Sequence, residues 1–260
     1  MIESRTIVEA GATIGEGSTI GDYCFIGKHV VIGKNNAIGS HVIIDGNTTI
    51  GDSNSIDTHS VLGTAPQDIK TNSDKVGLLI GDNNRIGSHV FITAGTEHGG
   101  MTTVLGDNNQ LQDSIHIGHD VQMGSHCIMK EDAALGGHVI VGEHVIFGKD
   151  TAVHQFVEIG NYASLADGAA LTQDLPPYCT AEGNRAKITG LHQESLNRYL
   201  STEEATDIKR AYAQLFADAS PKEQALSALE IQQPAVCKIL YRFIVDSKRG
   251  IPFKRKINVN

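Results

Sequence analysis

Aliphatic residues return on a count of six along the first two-thirds of the chain, usually followed by Gly: Ile14-Gly15, Ile20-Gly21, Ile26-Gly27, Ile32-Gly33 and Ile38-Gly39. The count resumes at Ile80-Gly81 and Ile86-Gly87, then runs from Leu105-Gly106 through Ile117, Met123, Leu135, Val141, Phe147, Ile159 and Leu165 to Leu171. Neither a helix nor an ordinary sheet asks for this period, because their side chains repeat every 3.6 or every 2 residues. A stack of short parallel strands does: each hexad makes one strand and one corner, and three make a coil of 18 residues. Counted from Ile2, there is room for roughly 26 hexads, or between eight and nine coils.

Two segments break the count. Residues 63–79 hold polar residues and a Pro where an aliphatic is due, and residues 93–104 include Gly99-Gly100 and shift the register by one. A solenoid buries its core by stacking, so both should project as loops, and such loops often carry function. After Pro176-Pro177 the rhythm stops, and helical signals begin near residue 191. Ser201-x-x-Glu204 reads as a capping box ahead of Ile208, Tyr212, Leu215 and Phe216. Ser220-Pro221-x-Glu223 reads as a second helix start. Pro234 opens a third, with Val236, Ile239, Leu240, Phe243 and Ile244 as its apolar stripe, and the basic tail 251–260 is expected to be loosely held. The chain therefore divides into a mainly β repeat domain, 1–184, and an α-helical C-terminal domain, 185–260.

Composition changes this picture only at the margins. Twenty-eight Gly and no Trp in 260 residues suit a solenoid packed from small and aliphatic side chains. Cys24, Cys127, Cys179 and Cys237 have no metal-ligand spacing and read as buried free thiols, which favours a reducing, cytoplasmic setting. No apolar run reaches the ~20 residues of a membrane span. Residues 1–184 carry 8 Lys/Arg against 22 Asp/Glu, a net of −14, whereas 185–260 carry 13 against 8, a net of +5. That asymmetry speaks against general nucleic-acid binding; a local anionic partner and a plain solvated helical surface both remain open.

The register also sorts the twelve histidines. Seven (His29, His41, His59, His89, His126, His138 and His144) share one slot, three after the aliphatic residue, as polar corner residues would. His98, His116, His119 and His154 fall outside it within the repeats. One coil beyond His119 is position 137, beside His138; two coils beyond is Gln155, beside His154. His119, His138 and the His154-Gln155 pair should therefore stack along one groove. Zinc would need three converging His at about 2.0–2.1 Å, whereas coils about 4.8 Å apart present ligands in a line. A general base needs one His and an orienting acceptor, and Asp120 can be that acceptor only if the corner turns between the two residues.

Six segments carry a resemblance: Pro66-Gln67-Asp68-Ile69-Lys70, His116-Ile117-Gly118-His119-Asp120, Leu135-Gly136-Gly137-His138-Val139, Ala152-Val153-His154-Gln155-Phe156, Gln173-Asp174-Leu175-Pro176-Pro177-Tyr178 and Glu182-Gly183-Asn184. With the hexads around them, the chain resembles the acyl-[acyl-carrier-protein]–UDP-N-acetylglucosamine O-acyltransferases, the hexapeptide-repeat acyltransferases of lipid A biosynthesis. The resemblance implies a left-handed parallel β-helix, a homotrimer with sites between subunits, and no bound cofactor. It implies transfer of a 3-hydroxyacyl group from the phosphopantetheine arm of acyl carrier protein to the 3-hydroxyl of UDP-N-acetylglucosamine. In that reading His119 is the general base and the Gly137 N–H the oxyanion donor. Gln67, Asp68, Lys70, His116, Asp120, His138, His154, Gln155, Glu182, Asn184 and Arg198 fall at substrate-contacting positions, and Asp167 stands where acyl length is set. Three rivals stay open: N-acylation of an amino-sugar nucleotide by the same base, a zinc carbonic anhydrase of the γ type, and a non-catalytic trimeric scaffold.

Overall fold

A computed structural model of the chain describes residues 1–68, 70, 75–216 and 221–253. The hexads wind into a left-handed parallel β-helix of triangular section. Face one holds nine strands, from Ile7–Val8 to Ala170–Leu171; face two holds eight, from Thr13–Ile14 to Glu158–Ile159. Face three holds ten, from Thr19–Ile20 through Cys179–Glu182 to Lys187–Leu191. Most strands are two residues long, with the first side chain outward and the second inward, as at Val31 and Ile32. The coil repeat stacks like on like: Ile26, Ile44, Leu62 and Ile92 are partners in register on face one, and Ile117, Leu135, Val153 and Leu171 continue the column. This interior column is nearly dry, at 4% exposure or less, and hydrophobic burial on that scale is what holds an otherwise short-stranded fold together.

The corners explain the shared histidine slot. The residue three after the aliphatic is left-handed at φ 59° in Tyr23 and Asp120, 61° in His41, 63° in His59 and 60° in His138. Among non-glycine residues Asn, Asp and His tolerate that conformation best, so a His there is first a backbone device. A second device sits one residue earlier. Backbone N–H groups of that slot are capped by a side chain from the next coil, as in Lys34 to Asp52, Asp82 to Asp107, Glu143 to Asn161 and Lys149 to Asp167.

Both expected interruptions leave from the edge between faces one and two, but they are shorter than 63–79 and 93–104. The strands Val61–Thr64, Gly77–Ile80 and Thr102–Leu105 extend to four residues and pair with their neighbours, leaving 65–76 and 94–101 as loops. Residues 69 and 71–74 lie outside the described residues.

Helices α1 (Gln193–Tyr199), α2 (Thr202–Phe216), α3 (Pro221–Leu229) and α4 (Ala235–Asp246) follow. The capping box forms as read: Ser201 N–H donates to Glu204 Oε2 at 2.9 Å, and Glu204 N–H to Ser201 Oγ at 3.2 Å. Pro221 opens α3, although Ser220 lies outside the described residues. Three expectations need correction. Lys187–Leu191 runs antiparallel to Cys179–Glu182, so the division expected at 184 falls in the turn between two paired strands. Ile239 is 51% exposed, and Cys237 and Tyr241 join Val236, Leu240 and Ile244 on the buried face of α4. The tail from 251 is not uniformly loose either: Ile251 and Pro252 are buried, and Ile188 N–H donates to Pro252 O at 2.7 Å. Residues 254–260 lie outside the described residues. No helix among the described residues is long and apolar enough to cross a membrane.

Candidate active site

The edge between faces one and two carries the predicted column. In the left-handed slot it reads Asp120, His138, Phe156, and in the preceding slot His119, Gly137, Gln155. The corner does turn between His119 and Asp120. Their side chains meet, with His119 Nδ1 3.0 Å from Asp120 Oδ2. A carboxylate only accepts, so His119 Nδ1 carries the proton and Nε2 keeps its lone pair.

Asp120 is held as few surface carboxylates are. Its side chain is 1% exposed. Oδ1 accepts from Thr96 N at 2.9 Å and Gly100 N at 2.9 Å, and Oδ2 accepts from Thr96 Oγ1 at 2.6 Å. Its own N–H donates to Thr103 Oγ1 at 2.9 Å. Burial pushes the Asp120 carboxyl up, but the hydrogen bonds from Thr96 and His119 outweigh it, and the net shift is down. The carboxylate thus stays charged beneath the imidazole. The second loop supplies Thr96 and Gly100; Gly100 belongs to the Gly99-Gly100 pair at the break in register, whereas Thr96 carries no signal in the sequence.

His138 packs edge-on to His119, with ring centroids 4.9 Å apart at 89°, and its Nδ1 lies 3.7 Å from Asp120 Oδ2. Its other face stacks on Phe156 at 4.5 Å. Burial lowers the His138 imidazole, with partial compensation from Asp120 and Asp68, so the first loop reaches this ring electrostatically. His116 projects from face one below, stacks on Phe91 at 5.6 Å, and is also lowered by burial. Gly137 is required by contact. A Cβ there would stand 2.6 Å from His119 Cε1 and 2.7 Å from Nε2. Its N–H has no acceptor among the described residues, because Gln155, in the capping position above, does not cap it.

The other predicted residues are dispersed. His154 and Gln155 are exposed on the same edge, one coil above Gly137. Gln67 and Lys70 are exposed in the first loop, where Lys70 N–H donates to Asp68 Oδ1 at 3.0 Å. Glu182 and Asn184 lie exposed at the far end of the helix, Asn184 bridging to Ala170. Arg198 stands over Tyr199 at 5.5 Å and beside His144, on the edge between faces two and three. Asp167 caps Lys149 N–H at 2.8 Å on the third edge, 3.8 Å from Lys130 Nζ. One chain by itself therefore does not bring these last four to His119.

His119, Asp120 and His138 also offer three ligand atoms within 4.8 Å of one another. Two imidazoles and a carboxylate are not the three His that a γ-type zinc site requires. Both Asp120 oxygens are already engaged by backbone and hydroxyl donors, an arrangement that fits an imidazole orienter better than a metal ligand.

Residues 174–252 match the second domain of the UDP-N-acetylglucosamine O-acyltransferases, and residues 1–34 match the bacterial transferase hexapeptide repeat. An acyl-[acyl-carrier-protein]–UDP-N-acetylglucosamine O-acyltransferase of Nautilia profundicola is 45% identical over 77% of this chain and 78% of its own length. That of a Sulfurovum species is 43% identical over 76% and 77%. A solved UDP-N-acetylglucosamine acyltransferase from Campylobacter jejuni superposes with a TM-score of 0.93 at 36% identity, covering 98% of this chain and all of the other. The chain belongs to the acyl-[acyl-carrier-protein]–UDP-N-acetylglucosamine O-acyltransferase family.

Proposed function

We propose that this chain transfers a 3-hydroxyacyl group from the phosphopantetheine arm of acyl carrier protein to the 3-hydroxyl of UDP-N-acetylglucosamine, the first step of lipid A biosynthesis. The observation that carries this reading is the His119–Asp120 pair set against the unpaired N–H of Gly137. His119 Nε2 takes the hydroxyl proton as the sugar oxygen attacks the thioester carbon, and the carbonyl electron pair moves onto oxygen. Gly137 N–H donates to that oxyanion, a preorganised donor where charge develops. Collapse breaks the C–S bond, and the imidazolium, steadied by Asp120, returns its proton to the departing thiolate. No resident cofactor enters, since the arm arrives with its carrier.

His116, His138, Asp68, Gln67, Lys70, His154 and Gln155 contact the sugar nucleotide or acyl chain. Glu182, Asn184 and Arg198 reach it from a second copy, which gives the trimer a chemical purpose. The outward column Ile7, Phe25, Ile43, Val61 and Phe91 on face one supports such packing, with Ile7 61% and Ile43 38% exposed in the single chain. Contiguous apolar surface of this kind marks an interaction face. Small outward residues, Ala134, Ala152 and Ala170, continue that face above His116, and Asp167 at the edge beyond them limits the acyl chain. The basic C-terminal domain docks the acidic carrier. Four buried, unpaired cysteines suit the cytoplasm.

Mass spectrometry of products from UDP-N-acetylglucosamine and a ladder of acyl-carrier thioesters tests this reading. One acyl group on the sugar, released by mild alkali, is the expected product. An alkali-stable product formed only from an amino-sugar acceptor would replace the ester with an amide. Stoichiometric zinc with carbonate hydration would overturn acyl transfer altogether.

A further inference from the structure

The segment after α4 leaves the helices and turns back onto the end of the β-helix. Asp174, 2% exposed, anchors it. One carboxylate oxygen accepts from Ser247 Oγ at 2.7 Å and Arg249 N at 3.1 Å, and the other accepts from Glu158 N at 2.9 Å. Asp174 N–H in turn donates to Gly250 O at 2.9 Å. Gly250 holds φ at 76°, and a Cβ there would press on Gln173 Nε2 at 3.1 Å. The strap so fixed aims one side chain at the catalytic edge. Arg249 Nε donates to Thr172 O at 3.1 Å, and Nη2 stands 3.3 Å from His154 Nδ1. Among the described residues no carboxylate forms an ion pair with this guanidinium.

His154 Nδ1 is also 3.1 Å from Gln155 O. It cannot serve both neighbours. A guanidinium only donates and a carbonyl only accepts, so Nδ1 must lack a proton for the first and carry one for the second. A protonated Nδ1 would set one N–H against another beside a fixed cation. The residue offering the carbonyl is exposed and can turn to water instead.

We infer that Arg249 is a positioning residue: it holds His154 as the Nε2–H tautomer, so that this ring presents a hydrogen-bond donor to an oxygen of the sugar nucleotide. The two imidazoles of the edge then have opposite polarity. A carboxylate makes Nε2 of His119 a base, and a guanidinium makes Nε2 of His154 a donor. The substrate half of this inference rests on the proposed function, whereas the tautomer does not.

Nitrogen-15 NMR of histidine-labelled, unliganded enzyme reads the tautomer directly, with the His154 signals identified by their loss in His154→Gln. Wild type should show an unprotonated Nδ1 and a protonated Nε2. Arg249→Met, which keeps the stem and both backbone bonds of the strap, should move the proton toward Nδ1, and Arg249→Lys should not. A His154 already protonated at Nδ1 in wild type, or unchanged in Arg249→Met, overturns the inference. In kinetics, Arg249→Met should raise KM for the sugar nucleotide about tenfold with a smaller change in kcat. Lys at 249 should restore part of the loss, and Arg249→Met should add nothing in the His154→Gln background. Full activity of His154→Gln would remove His154 from the substrate site, and the spectrum would still decide the role of Arg249.

Discussion

All three edges of the β-helix stack imidazoles at the coil repeat, and among the described residues only the edge between faces one and two sets an imidazole against a buried carboxylate. On the edge between faces three and one, Tyr23, His41, His59 and His89 lie ring on ring, 4.8–5.1 Å apart and within 20° of parallel. On the edge between faces one and two, His119 and His138 are equally close but perpendicular. The ladder is what the repeat yields unaided: a left-handed corner residue, exposed, copied every coil. The site departs from it in three places. Asp120 takes the left-handed slot, His119 moves one residue earlier, and Gly137 removes the side chain that would fill the space against it. The second loop then closes over Asp120. In the proposed mechanism reactivity comes from interrupting a pattern, and the ladder is its built-in control.

The sharpest break is His119→Ala. It should lower kcat/KM by about 10³-fold or more with an unchanged melting temperature, since a positioned base contributes on that scale. An enzyme that kept its turnover would return the edge to the status of the ladder. Asp120→Asn should cost roughly 10²-fold, because an amide can present its N–H to Nδ1 and release the tautomer. It should also destabilise, as Thr96 and Gly100 lose a charged acceptor. Gly137→Ala should lower kcat by about tenfold or more, with the ring displaced from the added Cβ rather than the fold lost; a crystal structure of the variant measures that displacement. His59→Asn, in the ladder and compatible with its left-handed backbone, should leave kcat/KM within about twofold and stability within about 0.5 kcal/mol.

Acidification offers the mildest test. His116 and His138 at the site, and His144 and His192 elsewhere, all hold protons less readily than an ordinary imidazole because of burial. Each contributes stability that is complete above the unfolded value of about 6.5 and is lost as pH falls through that value toward the folded one. Melting temperatures should therefore be flat above about pH 7 and decline below pH 6, with a shallower slope in His138→Gln.

The hexad made the solenoid, the alignment of His119 with Gly137 and Gln155, and the exit points of both loops readable from sequence, because each follows from a fixed repeat. Thr96 was not readable. It meets Asp120 across a loop whose length breaks the count, so no register predicts the pairing. Arg249 was further out of reach, since 95 residues separate it from His154 and nothing periodic links the strap to the edge. Asp167 shows the converse: its place in the acyl groove was inferred by resemblance, while its geometry as a cap on Lys149 N–H follows from the repeat.

His119, Gly137 and Gln155 occupy one slot in three consecutive coils, so the site is written in a spatial reading frame of 18 residues. Loops that leave an edge can lengthen freely, but one residue removed inside a coil between 119 and 137 would put His138 where Gly137 now stands and carry a side chain toward His119. A frameshift in space would silence the enzyme while most of the solenoid still folded.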